Sequence, residues 1–357
     1  MEPKLEMGGT MKAAVVPGDG TVVIKEVPVP EPGPYQCLVK ILACATCTGT
    51  DHKIAHRALP WPMDYPAILG HEAFGRVVQL GKKVRYLKEG DLFLRPTSVY
   101  PGGKLGQYYS GWGGFAEYGL VTDVQAARED DPGAEIPGLT VYQQKVPESL
   151  GLDPADATML ITLKETASFL KVIGVGWKSS VAVLGSGPVA MGFCWFAKVF
   201  GAWPVIAIGR REAAAGLVKK AGADFYINNS REDMAGRVKE LTENRGVDFV
   251  VDAAGDLNLL KESACLLAVN GKLAPYATSP SYQYVLDRAK GPGRWSLLFS
   301  GPDEPSAHQY LLDAVRLGLV NLKDFYSHRM PLSKIAEGFK MLEQKQAFKI
   351  VFEMEGR

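Results

Sequence analysis

The sequence predicts an α/β protein with two domains: a β-rich first domain and a doubly wound parallel sheet after it. Three observations predict this. The run Val181-Ala-Val-Leu-Gly185-Ser-Gly187-Pro188-Val189-Ala190 orders a hydrophobic strand, a glycine turn and a helix start. From about residue 154 to 276, apolar strands alternate with amphipathic helical stretches, the pattern of parallel crossover units. Before about residue 150 no such alternation occurs; short alternating stretches are broken by glycine and proline, as in an antiparallel barrel.

Taken in order, residues 11–26 and 36–43 alternate as strands around the proline-rich Val27-Pro-Val-Pro-Glu-Pro-Gly-Pro34. Further strand-like segments are 74–80, 92–94 and 115–121, and 97–140 reads as a long loop system rich in Gly, Pro and Asp. A helix over 154–173 leads into a strand at 180–184. Helices are then expected at 188–200, 212–221, 230–243 and 257–268, between strands at 204–208, 224–227, 247–251 and 271–276. Helices at 304–317 and 333–344 and a strand at 349–353 complete the chain, with Lys349 expected at the surface by default or, alternatively, against a cofactor phosphate. The implied division is 1–162 with 303–357, and 163–302.

At 357 residues the chain is long enough for two full cores. A net charge of +1, from 40 basic and 39 acidic residues, argues against nucleic-acid partners. No apolar run approaches the ~18 residues of a membrane span. Met1–Thr10 carries no apolar segment of a secretory signal and reads as a loose tail. Five unevenly placed cysteines fit a reducing, cytoplasmic setting.

The glycine turn points to a dinucleotide. Gly185 permits the tight turn, Gly187 leaves room for a pyrophosphate, and the helix beginning at Pro188 and Val189 offers free N–H groups. At the end of the next strand an NAD site usually holds an acidic residue for the ribose 2′-hydroxyl. Here stands Gly209-Arg210-Arg211, which suits a 2′-phosphate, so NADP(H) is favoured over NAD(H); Glu212 follows directly. Ala254, in the turn after the strand at 247–251, is expected to face the same cofactor.

Upstream lie two clusters, Cys44-Ala-Thr-Cys47-Thr-Gly-Thr50-Asp51-His52 and Leu69-Gly70-His71-Glu72. Thiolate, imidazole and carboxylate are the donors that Zn²⁺ takes. Taken singly, each residue is as well explained by a buried cysteine or a surface histidine.

With the nucleotide motif, the chain resembles the zinc-dependent medium-chain dehydrogenase/reductase family of alcohol, polyol and sugar dehydrogenases. Met11-Lys-Ala-Ala-Val-Val, Glu26-Val-Pro-Val-Pro-Glu-Pro, Gly70-His71-Glu72 and Gly90-Asp91-Leu-Phe carry the resemblance, with Gly113-Gly-Phe-Ala-Glu-Tyr118, Val251-Asp-Ala-Ala-Gly255 and Ser327-His328-Arg-Met-Pro331-Leu. It implies a GroES-like catalytic domain, a Rossmann domain, and a zinc-assisted hydride transfer between a nicotinamide cofactor and a secondary alcohol or ketone of a polyol, sugar or cyclitol. Cys47 and His71 would be zinc ligands, Thr50 the hydroxyl that passes the substrate proton, Asp51 the carboxylate orienting His71, and His52 the outer relay. Without the one-residue insertion after Cys47, Thr48 takes the place of Thr50.

Two departures from the family pattern stand out. No cysteine falls between residues 95 and 115, where many members bind a structural zinc, so one catalytic zinc is expected. The usual third catalytic ligand, Cys or Glu, is replaced by Ile161 and Thr162. Glu165, one turn on, and Glu72 are the two candidate replacements; Glu72 joins His71 only if Gly70 bends the strand. Trp61, Tyr109, Trp112 and Trp295 could line a hydroxylated substrate, or be ordinary core. Two other readings remain: a zinc-free quinone or enone reductase of the same fold, and a non-catalytic nucleotide-binding relative. A homodimer or homotetramer joined near 273–284 would cover a sheet edge.

Overall fold

The computed structural model describes residues 9–355; the expected tail lies almost wholly outside them. The chain divides into two compact units, Met1–Ile161 with Leu312–Arg357, and Thr162–Leu311. The first division differs from the sequence-based one by a single residue. The second falls at 312 rather than 303, inside a helix whose first residue, Glu304, pairs with the fully buried Lys164 in the sheet unit.

The first unit opens with β1 (Thr10–Val16), β2 (Val23–Pro28) and β3 (Gln36–Ala45). A helix that the sequence reading omitted, α1 (Thr48–Ala55), comes next. Its first turn, Thr48-Gly-Thr-Asp, is weakly helical by propensity, so the signal is poor. The helix is nevertheless started by the Cys47 carbonyl, which accepts from the amides of Thr50 and Asp51 at 2.9 and 2.8 Å. Then follow β4 (Ala67–Ile68), β5 (Glu72–Leu80), β6 (Leu92–Leu94), β7 (Lys104–Leu105), β8 (Tyr108–Ser110) and β9 (Tyr118–Thr122). A second unanticipated helix, α2 (Val124–Asp130), is capped by Asp123, whose side chain accepts from the Ala126 amide. β10 (Lys145–Val146) precedes α3 (Pro154–Ile173), which runs across the division.

In the second unit β11 (Val181–Leu184), α4 (Pro188–Val199), β12 (Val205–Gly209), α5 (Ala215–Lys220), β13 (Phe225–Asn228), α6 (Met234–Leu241), β14 (Val247–Asp252), α7 (Leu257–Glu262), β15 (Leu267–Pro275) and β16 (Trp295–Leu297) alternate. The six strands are parallel, in the order β13-β12-β11-β14-β15-β16. Chain progression reverses at β11, the switch point where doubly wound sheets bind ligands. The strand expected at 271–276 begins at Leu267, which shortens the helix expected at 257–268.

The chain then completes the first unit with α8 (Glu304–Arg316), which begins in the sheet unit, β17 (His328–Pro331), α9 (Ile335–Glu343) and β18 (Ile350–Glu353). Among the described residues the first unit holds a sheet ordered β2-β1-β4-β8-β7 and another ordered β10-β6-β5-β3-β18-β17, with β9 also on β3. The buried rings of Phe115 and Phe352 meet edge to face at 5.7 Å, and Phe339 of α9 joins Phe115 at 6.4 Å. Burying three such rings stabilises by several kcal/mol and fixes α9 against the sheet. No helix among the described residues is long and apolar enough to cross a membrane.

Candidate active site and metal centre

β3 sits between β5 and β18, antiparallel to both, with Ala45 opposite Glu72 on one side and Val351 on the other. The end of β3 therefore meets the starts of β5 and β18. Cys47 follows the first, His71 and Glu72 open the second, and Lys349 precedes the third. Thr46 locks the junction: its amide donates to the Ile350 carbonyl at 2.9 Å and its hydroxyl accepts from the Ile350 amide at 3.0 Å.

Gly70 supplies the bend that brings His71 and Glu72 together. Its φ is +105°, and a Cβ there would lie 2.4 Å from the Phe115 nitrogen, so only glycine fits. The ligand atoms of Cys47, His71 and Glu72 all lie within 4.8 Å of one another. His71 is held from behind, its carbonyl accepting from the Arg95 guanidinium at 2.7 Å. Trp112 lies 5.3 Å from its ring, and Trp61 lies 5.8 Å from Trp112. Tyr109 packs against the same core, whereas Trp295 stands on β16 in the other unit.

Asp51 is 1% exposed; one carboxylate oxygen accepts the Cys47 amide at 2.8 Å and the other faces His71 Nδ1 at 3.5 Å. That oxygen and that nitrogen are buried and neither has a hydrogen-bond partner. Burial disfavours a charged imidazole here, but the Asp51 carboxylate and Cys47 thiol outweigh it and hold His71 well above its usual range. Thr50 is buried on α1 with its hydroxyl 3.5 Å from Cys47 Sγ. The side chain of Thr48 is not among those described.

Glu72, also 1% exposed, forms a buried ion pair with Lys349. The sequence reading put Lys349 at the surface; it is 2% exposed. Its position before a strand is ordinary for a solvated lysine, and only the β3–β18 pairing reveals the partner. Glu165 lies in the sheet unit, where its carboxylate accepts from Tyr276 Oη at 2.8 Å, and it belongs to neither described cluster of metal-ligating side chains. Ile161 and Thr162 are buried in α3.

His52 lines a cavity of about 190 Å³ with Thr46, Asp51, Phe339, Leu342 and Glu343. This cavity leads from the carboxylate beside His71 to the half-exposed Glu343. Burial and the neighbouring His56 ring hold His52 below its usual range, against the pull of Glu343. It is therefore neutral near pH 7 and able to take a proton.

In the sheet unit Gly185 has φ +123°, and a Cβ on it would sit 3.4 Å from Ala253 at the end of β14. Gly187 caps α4, with nothing within 4 Å of where its Cβ would be. Pro188 and Val189 form the half-buried first turn, with no acidic residue to repel an anion. The amides of Ala254 and Gly255 donate to Asp252 at 2.9 and 3.0 Å, shaping the facing turn. A Cβ at Gly209 would lie 2.9 Å from Ser186 Oγ and 3.0 Å from Tyr226 Oη, so a side chain there requires those groups to shift. Arg210 is 73% exposed in its side chain and touches Asp256 at 3.5 Å. Arg211 uses its carbonyl to accept from Tyr226 Oη at 2.7 Å, and Glu212 accepts from Asn228 at 2.8 Å.

Comparison with known proteins agrees with this layout. Residues 33–130 match the model of the alcohol dehydrogenase GroES-like domain, and 188–288 that of zinc-binding dehydrogenase. The chain is 26% identical to L-threonine 3-dehydrogenase of Bacillus licheniformis over 97% of this chain and 99% of that protein. It is 30% identical to sorbitol dehydrogenase of Bacillus subtilis over 74% of each. It is also 30% identical to NADP-dependent isopropanol dehydrogenase of Entamoeba histolytica, over 72% of this chain and 70% of that one.

Proposed function

Because the chain belongs to the zinc-type medium-chain dehydrogenase/reductase family and is an oxidoreductase of that kind, we propose that it oxidises a secondary alcohol of a polyol, sugar or cyclitol, or reduces the matching ketone, using NADP(H) and one zinc. The convergence of Cys47, His71 and Glu72 carries this reading. Sulfur, nitrogen and oxygen donors form a set that zinc accepts, and three protein ligands leave a fourth position open. The buried, unbonded Asp51 oxygen facing His71 Nδ1 fits the carboxylate partner that a metal-bound imidazole uses. Glu72 has two oxygens and can face Lys349 and a cation together. Glu165 is left out of the ligand set.

Held by Cys47, His71 and Glu72, zinc would supply Lewis acidity at the substrate hydroxyl, and a nicotinamide would supply the hydride acceptor. The chain's own residues do the rest. Thr50, beside Cys47, accepts the substrate's hydroxyl proton and passes its own onward. His52, neutral and lining the cavity that opens at Glu343, carries that proton towards solvent. Trp61 and Trp112 offer apolar faces to the carbon side of a hydroxylated substrate. In the sheet unit the α4 N-terminus takes the pyrophosphate. Arg210 and Arg211 take the 2′-phosphate; the exposed Asp256 contact of Arg210 is weak and easily exchanged. Five free cysteines support a reducing compartment, and the single neighbour of edge strand β16 supports a dimer or tetramer through that side.

Two results test this reading. Each charge-assisted bond to a phosphate contributes about 1.5–3 kcal/mol. The double variant R210A/R211A is therefore expected to bind NADPH at least ~100-fold more weakly by fluorescence titration, with NADH affected little. Unchanged NADPH affinity would refute the cofactor assignment. Zinc must also displace the proton that His71 holds, so at least one proton should leave per zinc bound. Calorimetry near neutral pH in buffers of different ionisation enthalpy reads this number, and apparent zinc affinity should rise with pH. Uptake without proton release would count against His71 as a ligand.

A further inference from the structure

We infer that His52, His56 and Glu343 form a second zinc site, at the outer end of the cavity that leads away from Asp51. His52-Lys-Ile-Ala-His56 places one imidazole on α1 and the next four residues on, at the residue that caps the helix, the spacing by which helical histidines share a metal. Their ring centroids are 4.2 Å apart. The third donor comes from the last turn of α9, where Glu343 Oε1 lies 3.5 Å from His52 Nδ1. The ligand atoms of all three residues fall within 4.8 Å of one another.

The spacing of the donors leaves room for a shared cation. At 3.5 Å the His52–Glu343 contact is longer than a good hydrogen bond. Tetrahedral zinc with bonds of about 2.0–2.1 Å puts neighbouring ligand atoms about 3.3 Å apart. The tautomer of His56 is also set. Its Nδ1 lies 2.9 Å from the His52 carbonyl, which can only accept, so Nδ1 carries the hydrogen and Nε2 keeps the lone pair. A histidine that donates its other N–H to a backbone carbonyl has the usual support of a metal ligand. With side-chain exposures of 40% for His52 and 43% for Glu343, water can complete the shell.

This site has a consequence that rests on the role proposed above for His52. An imidazole bound to zinc cannot accept a proton, so filling the outer site closes the proton's exit. Zinc beyond the first equivalent then lowers turnover.

Equilibrium dialysis against Zn²⁺ tests the site directly, on the full chain, on Cys47→Ser, and on the double variant His56→Gln/Glu343→Gln. The full chain is expected to bind two zinc ions, and Cys47→Ser to lose the tighter one. Loss of a supporting partner alone costs about 10–100-fold in metal affinity. Loss of two ligands should therefore weaken the second zinc at least ~10-fold, with an unchanged circular-dichroism spectrum and unchanged affinity for the first zinc. Inhibition by excess zinc should disappear in the double variant. A single zinc abolished by Cys47→Ser overturns the second site and leaves the first standing. A single zinc abolished by the double variant but kept by Cys47→Ser supports the outer site and overturns the metal role of Cys47. A second zinc that binds the double variant as tightly as the full chain also overturns the assignment.

Discussion

Cys47→Ala is expected to lower turnover by about 10³-fold or more, because zinc contributes several kcal/mol of charge stabilisation and each ~1.4 kcal/mol is a factor of ten. Nicotinamide binding should stay as it was, since Gly185, Gly187 and the arginines lie in a separate unit with its own core. Thermal stability without added metal should change little: the Cys47 side chain is only partly buried, and α1 is started by its backbone carbonyl, which alanine retains. The assay is steady-state turnover on a panel of polyols and ketoses, with cofactor binding followed in parallel. Turnover within about tenfold of the parent would remove the metal from the mechanism and favour direct hydride transfer to a quinone or enone.

Lys349→Met is the change with the largest expected effect on stability. It keeps the length and apolar stem of the side chain but removes the ammonium group from the buried pair with Glu72, which is 1% exposed. Breaking a buried pair by removing one partner costs about 3–5 kcal/mol. The loss is conditional, however. If Glu72 also faces zinc, the metal replaces part of the missing charge, and added zinc should stabilise Lys349→Met more than it stabilises the parent. Denaturant unfolding with and without zinc measures both quantities. Equal stabilisation of the two proteins by zinc would place Glu72 outside the metal's reach.

The parts of this protein most legible in the sequence are those governed by local pattern. The strand–turn–helix around Gly185 needs only apolar runs and three small residues in order, and β11 and α4 stand within a residue of their expected bounds. The parallel sheet is similar, because buried strands and amphipathic helices each declare their period. Legibility fails where long-range pairing decides. Lys349 and Glu72 are 277 positions apart, and no local signal in either segment tells a buried ion pair from two solvated charges. Glu165 shows the same dependence: helical periodicity puts it near the usual ligand position, and the partner its carboxylate meets, Tyr276, lies 111 positions away.

Helix α1 shows a third kind of limit. Its composition, with Thr48, Gly49, Thr50 and Asp51 in the first turn, favours caps and turns over helix interior. The sequence therefore named His52 as a relay without revealing that His56 stands one turn away on the same face. A search for histidines spaced by four would have found the pair, although only the fold supplies Glu343. At Gly70 the sequence indicates where a bend matters; the bend itself, with φ +105°, goes with Phe115 lying too close for any side chain.

The proposed chemistry depends on a metal held by one sulfur from the end of β3 and by donors from the start of β5. X-ray absorption at the zinc edge, on His56→Gln/Glu343→Gln loaded with one equivalent, tests this most directly. One sulfur at about 2.3 Å with nitrogen and oxygen neighbours at about 2.0–2.2 Å is the expected first shell, and the sulfur should vanish in the further variant Cys47→Ser. A shell of nitrogen and oxygen alone, unchanged by that replacement, would contradict it.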